Sequence, residues 1–295
     1  MALKSARPAW LSEPDGLMAR IRGLSPTLSR GQRAVVEFFV GHCDRAVFLT
    51  STQMAREVSV SEATVVRTAR ALGFSGYPEF RTAFRTYFVE RMSTVTRVRL
   101  TAAPRRTESY IIDEVLRTDL TNLEATRVRL DHKALGQAAE MIGGARHVYV
   151  IGMRSAHALA WLLHFSLTLI LANSRVVTLG AADVSEQLGR VGPEDVVVGI
   201  TFERYTRATV ELFRGCLAKG ARGIALTDKP TSPLAEGAAV VLEAQTRLSS
   251  FIDSWVGPTA LINVLVTLVA AKRRRKVLRT LADHEDEWRR HRTYL

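Results

Sequence analysis

Two arginines three residues apart, Arg67 and Arg70, close a run that also holds Ser61, Glu62, Ala63, Thr64 and Val66. On a helix these side chains lie opposite Val65, Ala69 and Leu72, whose three- and four-residue spacing makes one apolar face. Guanidinium groups placed there can reach guanine edges or phosphates. A carboxylate at Glu62 can accept from cytosine, and a hydroxyl at Ser61 or Thr64 can hold a phosphate. An amphipathic helical pair with a solvated basic face has the same periodicity, so the pattern alone leaves both readings standing.

A second group of chemistry-bearing residues falls in two loops. Gly152, Arg154 and Ser155 follow the apolar run HVYVI, where a glycine permits a tight turn and a serine presents a hydroxyl and backbone N–H groups to an anion. A plain strand-to-helix turn reads the same way. Thr201, Glu203, Arg204, Tyr205 and Thr206 follow the run DVVVGI. Phe251, Asp253 and Ser254 can approach the same rim. His157, His164, Glu186 and Glu203 are the residues available for acid–base work on an aldose or ketose. The two histidines sit seven apart in an apolar helix and read as packed side chains, so no catalytic constellation stands out. Cys43 and Cys216 are alone, with no partners at metal-ligand spacing, so no disulfide framework, metal or cofactor is expected.

The elements that must hold these groups divide the chain. A helix capped by Ser61 runs to about Leu72, with Gly73 to end it, and a shorter helix at Ser51–Val58 precedes it across a turn at Ser59 and a plug at Val60. Further helices are expected over 15–22, from Ser29 to Val40, and from Pro78 to about Met92, with Phe80, Phe84, Tyr87 and Phe88 on one side. Residues 1–14 read as a mobile arm, 15–92 as a helical DNA-reading domain and 93–108 as a linker. Helices follow over 111–130 and 132–142. The period then changes to short Val- and Ile-rich runs at 147–151, 175–179, 195–200, 221–226 and 239–242, most of them separated by helical segments. This predicts an α/β domain over 109–272, a five-stranded parallel sheet with helices on both faces. Residues 273–295 form a basic tail or helix.

The string S-E-A-T-V-V-R-x-x-x-x-L-G-F-x-G-Y-x-E-F, from Ser61 to Phe80, resembles the N-terminal domain of the RpiR family of bacterial transcriptional regulators. The loop at 201–206, with Ser232-Pro233-Leu234 further on, resembles the sugar isomerase (SIS) domain that follows it in that family, so the likeness covers roughly residues 15–272. The family implies a flavodoxin-type, doubly wound second domain whose loop S-x-S-G-x-T cradles a sugar phosphate. Thr201 and Thr206 match its hydroxyl positions, whereas Glu203 and Arg204 stand at its second serine and its glycine. Arg204 would then clamp an anion, or pair with Glu203 and close the site, or both would be surface residues.

Charge agrees with this division. Residues 1–109 carry 17 Lys/Arg against 9 Asp/Glu, residues 110–271 carry 15 against 16, and residues 272–295 carry 9 against 4. A polyanion is therefore expected at the front of the chain. The apolar stretches at 158–172 and 256–271 are shorter than the roughly 20 residues of a spanning helix, and the second contains Pro258 and Asn263; a buried helix or a dimer surface is expected instead. The resulting expectation is a cytoplasmic regulator, a homodimer or higher homo-oligomer, on a double-stranded operator, biased by a sugar phosphate or other small anion, without a membrane. A sugar-phosphate isomerase or epimerase with a basic appendage is the alternative.

Overall fold

The computed structural model describes residues 16–91, 98, 107–178, 184–248 and 252–294. The arm at 1–14, most of the linker at 93–108, Leu179, Phe251 and the side chains of Tyr87 and Phe88 lie outside them. The chain forms two compact units, residues 1–106 and 107–295.

The first unit is helical: α1 (Gly16–Leu24), α2 (Arg30–Gly41), α3 (Cys43–Ala46), α4 (Ser51–Glu57), α5 (Glu62–Ala71) and α6 (Tyr77–Arg91). Local sequence sets the starts. Ser29 with Gln32 and Thr50 with Gln53 each close a capping box, and Ser61 accepts from the Thr64 N–H at 3.2 Å. The end of α5 is a Schellman turn: Gly73 takes φ 94°, its N–H donates to Arg70, and the Phe74 N–H donates to Ala69. Phe39, Phe80 and Phe84 are fully buried in mutual ring contact at 4.6 to 5.4 Å, with Phe74 and Tyr77 around them. That cluster is the seat on which Val65, Ala69 and Leu72 press α5.

The second unit contains α7 (Glu108–Arg129), α8 (His132–Gly144), β1 (Val148–Ile151), α9 (His157–Leu171), β2 (Ser174–Val176), α10 (Val184–Leu188), β3 (Val196–Ile200), α11 (Arg207–Ala218), β4 (Arg222–Thr227), β5 (Val240–Glu243), α12 (Val256–Lys272) and α13 (Arg274–His291). Glu108, read above as the last linker residue, opens α7, with Thr107 as its cap. All strand pairs are parallel in the order β2-β1-β3-β4-β5, so the order reverses between β1 and β3. Strand residues alternate between two cores. Val148, Val150, Val196, Val198, Ile224 and Leu226 face α8, α9 and α12, while Tyr149, Ile151, Val197 and Ala225 face α11. Phe213 of α11 fits over Gly199 and Gly223, where an added Cβ would lie 2.8 and 2.7 Å from its ring.

The 256–271 stretch is largely spent in this core: Leu261, Ile262, Leu265 and Val269 of α12 are buried. Apolar surface is left open on α7, where Ile112, Leu116, Leu120 and Leu123 are all exposed, and also at Trp161 and Phe165 of α9 and Val264 of α12. Among the described residues no single helix is long and apolar enough to cross a membrane.

Candidate nucleic-acid interface and effector rim

The turn before α5 brings the N-terminal ends of α4 and α5 together. Ser59 takes the left-handed conformation at φ 54°, and the Val60 N–H returns to the Ala55 carbonyl at 2.9 Å. Val60 is half-buried against the core. The Glu62 carboxylate accepts from Ser51 Oγ at 2.6 Å and from Thr52 Oγ1 at 3.0 Å. These bonds, Ser51 first, hold its pKa below the usual carboxylate value. Glu62 was a candidate acceptor for cytosine; in the structure it ties the two helix starts to each other. Ala63, Arg67 and Arg70 are exposed along α5. Arg67 Nη2 donates to Thr64 Oγ1 at 3.2 Å, which lies 2.8 Å from Ser61 Oγ, so the three polar groups form one chain at the start of the helix. The Arg70 guanidinium has no hydrogen-bond or ion-pair partner among the described residues. Val66, placed with the outward group by the sequence, is half-buried and packs partly on the core, because it sits about 100° round the helix from Val65.

In the second unit the loops after β1 and β3 flank the point of strand reversal, where an open parallel sheet leaves a crevice. Gly152 is buried against the start of α9; an added Cβ would meet the Ala156 carbonyl at 2.7 Å. Arg154, at φ 58°, and Ser155 are exposed beyond it. The Met153 N–H donates to Thr209 Oγ1 at 3.1 Å, which fixes this loop to the first turn of α11. On the other side, buried Thr201 accepts from the Thr206 N–H at 3.0 Å. The next N–H groups, at the start of the 12-residue helix α11, are positioned as helix-end donors.

Arg204 is exposed and takes φ 59°. The backbone thus adopts a glycine-type conformation where the family loop has glycine, although the residue is not glycine. Glu203 is held by Lys229 Nζ at 2.5 Å, with 16% of its side chain exposed. The lysine that pairs with it comes from the loop after β4. Tyr205 donates to Asp228 at 2.9 Å, and the Lys229 ammonium lies 5.7 Å from the Tyr205 ring centre. Burial pushes the Asp228 carboxyl up, against the pull of Lys229 and the Tyr205 hydrogen bond. Gln245 donates to the Asp228 carbonyl at 3.3 Å, and Ser254 to Asp119 at 2.6 Å, so the 254 position serves α7.

Asp228 and Lys229 were not picked out by the sequence reading. The available signal was the polar triplet Thr227-Asp228-Lys229 directly after an apolar run. The acid–base candidates do not converge. His157 Nδ1 is 3.1 Å from the Gly152 carbonyl, His164 Nδ1 is 3.0 Å from Ser174 Oγ, and Glu186 is exposed on α10.

Two family profiles match this layout: a helix-turn-helix domain of the rpiR family over residues 15–91, and a SIS domain over residues 141–268. The sugar isomerase domain of an RpiR transcription factor from Sphaerobacter thermophilus is 32% identical, with a TM-score of 0.56 over 59% of this chain and 97% of its own. The chain belongs to the RpiR family. The HTH-type transcriptional regulator HexR of Pseudomonas aeruginosa is 24% identical to this RpiR-family chain over 262 residues, 87% of this chain and 90% of HexR. The Vibrio vulnificus NanR protein complexed with ManNAc-6P is 21% identical with a TM-score of 0.56, over 92% of this chain and 97% of its own, and shares the RpiR-family fold. The protein is an RpiR-type helix-turn-helix transcriptional regulator with a SIS domain.

Proposed function

We propose that α5 reads an operator in the major groove of double-stranded DNA through Ala63, Arg67 and Arg70, with Ser61 and Thr64 toward the phosphates and Glu62 positioning the helix. A small anionic metabolite, a sugar phosphate foremost, binds at the rim formed by Gly152, Arg154, Ser155, Thr201, Glu203, Arg204, Tyr205 and Thr206. Its binding shifts DNA affinity because the ligand favours one arrangement of the chain over another. The observation that carries this reading is the glycine-type turn at Arg204. It sits between Thr201 and Thr206 at the start of α11, beside the strand reversal. NanR, of the same fold, is known with ManNAc-6P, which supports a phosphorylated sugar as the ligand class here.

Binding without turnover is supported by His157 and His164, each with its Nδ1 already hydrogen-bonded, and by Glu203, whose carboxylate is neutralised by Lys229. A regulator of this kind works in the cytoplasm as a homodimer, and the exposed stripe Ile112, Leu116, Leu120 and Leu123 on α7 is the surface for a second copy. A thermal-shift screen of hexose and N-acetylhexosamine 6-phosphates, with inorganic phosphate as control, tests the reading. A sugar phosphate that raises Tm and alters operator binding in a gel shift is the expected result. Turnover of such a compound, lost on Glu203→Ala, would favour the isomerase instead.

A further inference from the structure

The start of α13 carries a cluster of cations that the packing of the second unit does not use. Arg274, Arg275, Lys276 and Arg279 are all exposed, and none of their side chains has a hydrogen-bond or ion-pair partner among the described residues. Their neighbours differ. Lys272 and Arg273 reach Glu140 at 2.9 and 3.3 Å, while Arg289 pairs with Asp286 at 3.1 Å and Arg290 pairs with Glu287. The second half of the helix is thus neutralised within itself, and the first half is not.

Helix energetics does not account for this placement. The first turn of α13 has no acidic residue, and its cations sit at the end where the helix dipole is already positive. Packing does not account for it either, since the helix is anchored by Val277, buried, and Leu281, packed partly on the core. Arg275, Lys276 and Arg279 point within about 100° of one another, away from Val277. From Arg275 to Arg279 the axis rises about 6 Å, close to two phosphate steps of one DNA strand at about 3.4 Å each, and Arg274 lies about 100° further round, beside Arg275.

We infer that Arg274, Arg275, Lys276 and Arg279 form a second, sequence-independent contact with the phosphate backbone of duplex DNA. The inference rests on the reading of α5 as the operator-recognising helix, which brings a duplex to the chain. A lipid surface is the poorer fit. A helix lying in a membrane interface needs a continuous free apolar face, and α13 turns Val277 and Leu281 into the core, leaving Leu278 as a single exposed aliphatic side chain beside the cations.

The test uses the full chain with Arg274, Arg275, Lys276 and Arg279 all changed to Gln. A control of equal charge changes Arg127, Arg207, Arg214 and Arg289, each already paired with a carboxylate, to Gln. Affinity is measured against salt on a selected operator and on a scrambled duplex. Each lost phosphate contact makes the log–log slope shallower by about 0.9, so the α13 variant is expected to lose roughly 2 to 4 units of slope on both duplexes. Its operator-to-scrambled ratio stays that of wild type, and a variant with all four positions Lys or Arg interchanged keeps the slope. The control loses less than about 1 unit.

An α13 variant with wild-type slope, or one no different from the control, overturns the proposal while leaving the α5 reading intact. A wild-type chain that binds neither duplex overturns both. A variant that loses binding to phosphatidylserine vesicles but not to DNA assigns the patch to a membrane and also overturns it.

Discussion

Replacing Arg67 by Ala isolates recognition from stability. The guanidinium is exposed, and its hydrogen bond inside the protein, 3.2 Å to Thr64 Oγ1, lies on the surface. Its removal is expected to change folding free energy by no more than about 0.5 kcal/mol, as for surface substitutions away from special features. The cost on DNA depends on what the group touches. A bidentate pair with guanine is worth about 1–3 kcal/mol of discrimination, so a base-reading Arg67 predicts operator binding weakened by about 5- to 150-fold. A phosphate-binding Arg67 predicts a loss shared by all duplexes and a salt slope reduced by about 1.

The assay is fluorescence anisotropy on an operator selected by the wild-type chain from a random duplex library. It is repeated with single base-pair changes and over a range of salt. Because Thr64 and Ser61 steer the guanidinium toward the start of α5, where helix-turn-helix proteins meet base edges, the loss is expected to vanish at one base-pair position and persist at the others. Unchanged affinity, unchanged specificity and unchanged salt slope together would refute the placement of Arg67 against DNA. They would do so cleanly, because thermal melting of the same variant reports whether the helix is still there.

The remaining expectations concern the second unit. Leu116→Glu with Leu120→Glu places charge in the exposed α7 stripe and is expected to convert a dimer to a monomer in light scattering without lowering the monomer's own helicity; an unchanged mass argues for another interface. Asp195 is buried and accepts from Arg146 at 2.6 and 2.9 Å and from the His147 and Gly192 N–H groups. Burial alone would raise its pKa, but these partners hold it below the ordinary value. Its contribution is therefore complete above the unfolded carboxylate value near about 3.9 and is lost as pH falls through the folded one, and Asp195→Ala is expected to cost about 3 kcal/mol at neutral pH by denaturant melting. Asp228 has the opposite sign: its raised pKa means the fold favours the protonated acid, a preference lost as pH rises through the folded value. Asp228→Asn should then raise Tm at neutral pH and flatten its pH dependence, and a lower Tm at every pH would count against that.

The reading helix was legible because every signal for it is local. A serine cap, an apolar repeat at 65, 69 and 72, and a glycine with φ 94° are all contained within 13 residues of sequence. The strands were legible for a similar reason: runs of four or five consecutive buried residues, most of them Val or Ile, fit a sheet covered on both faces. Legibility ended where the partner is distant in sequence. Glu62 looked like an outward acceptor on a helical wheel, and only the crossing of α4 and α5 shows that Ser51 and Thr52 occupy it. The run at 256–271 was as apolar as an interface helix, and only the structure shows that Leu261 and Leu265 are spent inside the same unit while Val264 faces outward. The open stripe on α7 was hidden in a helix whose charges give it an ordinary amphipathic look.

The rim shows the same limit at the level of chemistry. In sequence, Glu203 and Arg204 look like two losses: a carboxylate where an anion would lie, and a side chain where backbone should be bare. In the structure both are compensated from elsewhere. Lys229, 26 residues on, neutralises Glu203, and the turn at Arg204, with φ 59°, is closed across its ends by the Thr206 N–H donating to Thr201 Oγ1. A non-glycine residue persists in that conformation only when its surroundings over-determine it. Arg204→Gly should therefore leave stability within about 1 kcal/mol of wild type while removing the cation, whereas Arg204→Ala removes the cation and keeps the strain. If the guanidinium clamps the effector, both variants lose the ligand-induced Tm shift. If the backbone alone cradles it, the Gly variant keeps that shift, and the clamp is refuted by a chain that is otherwise native.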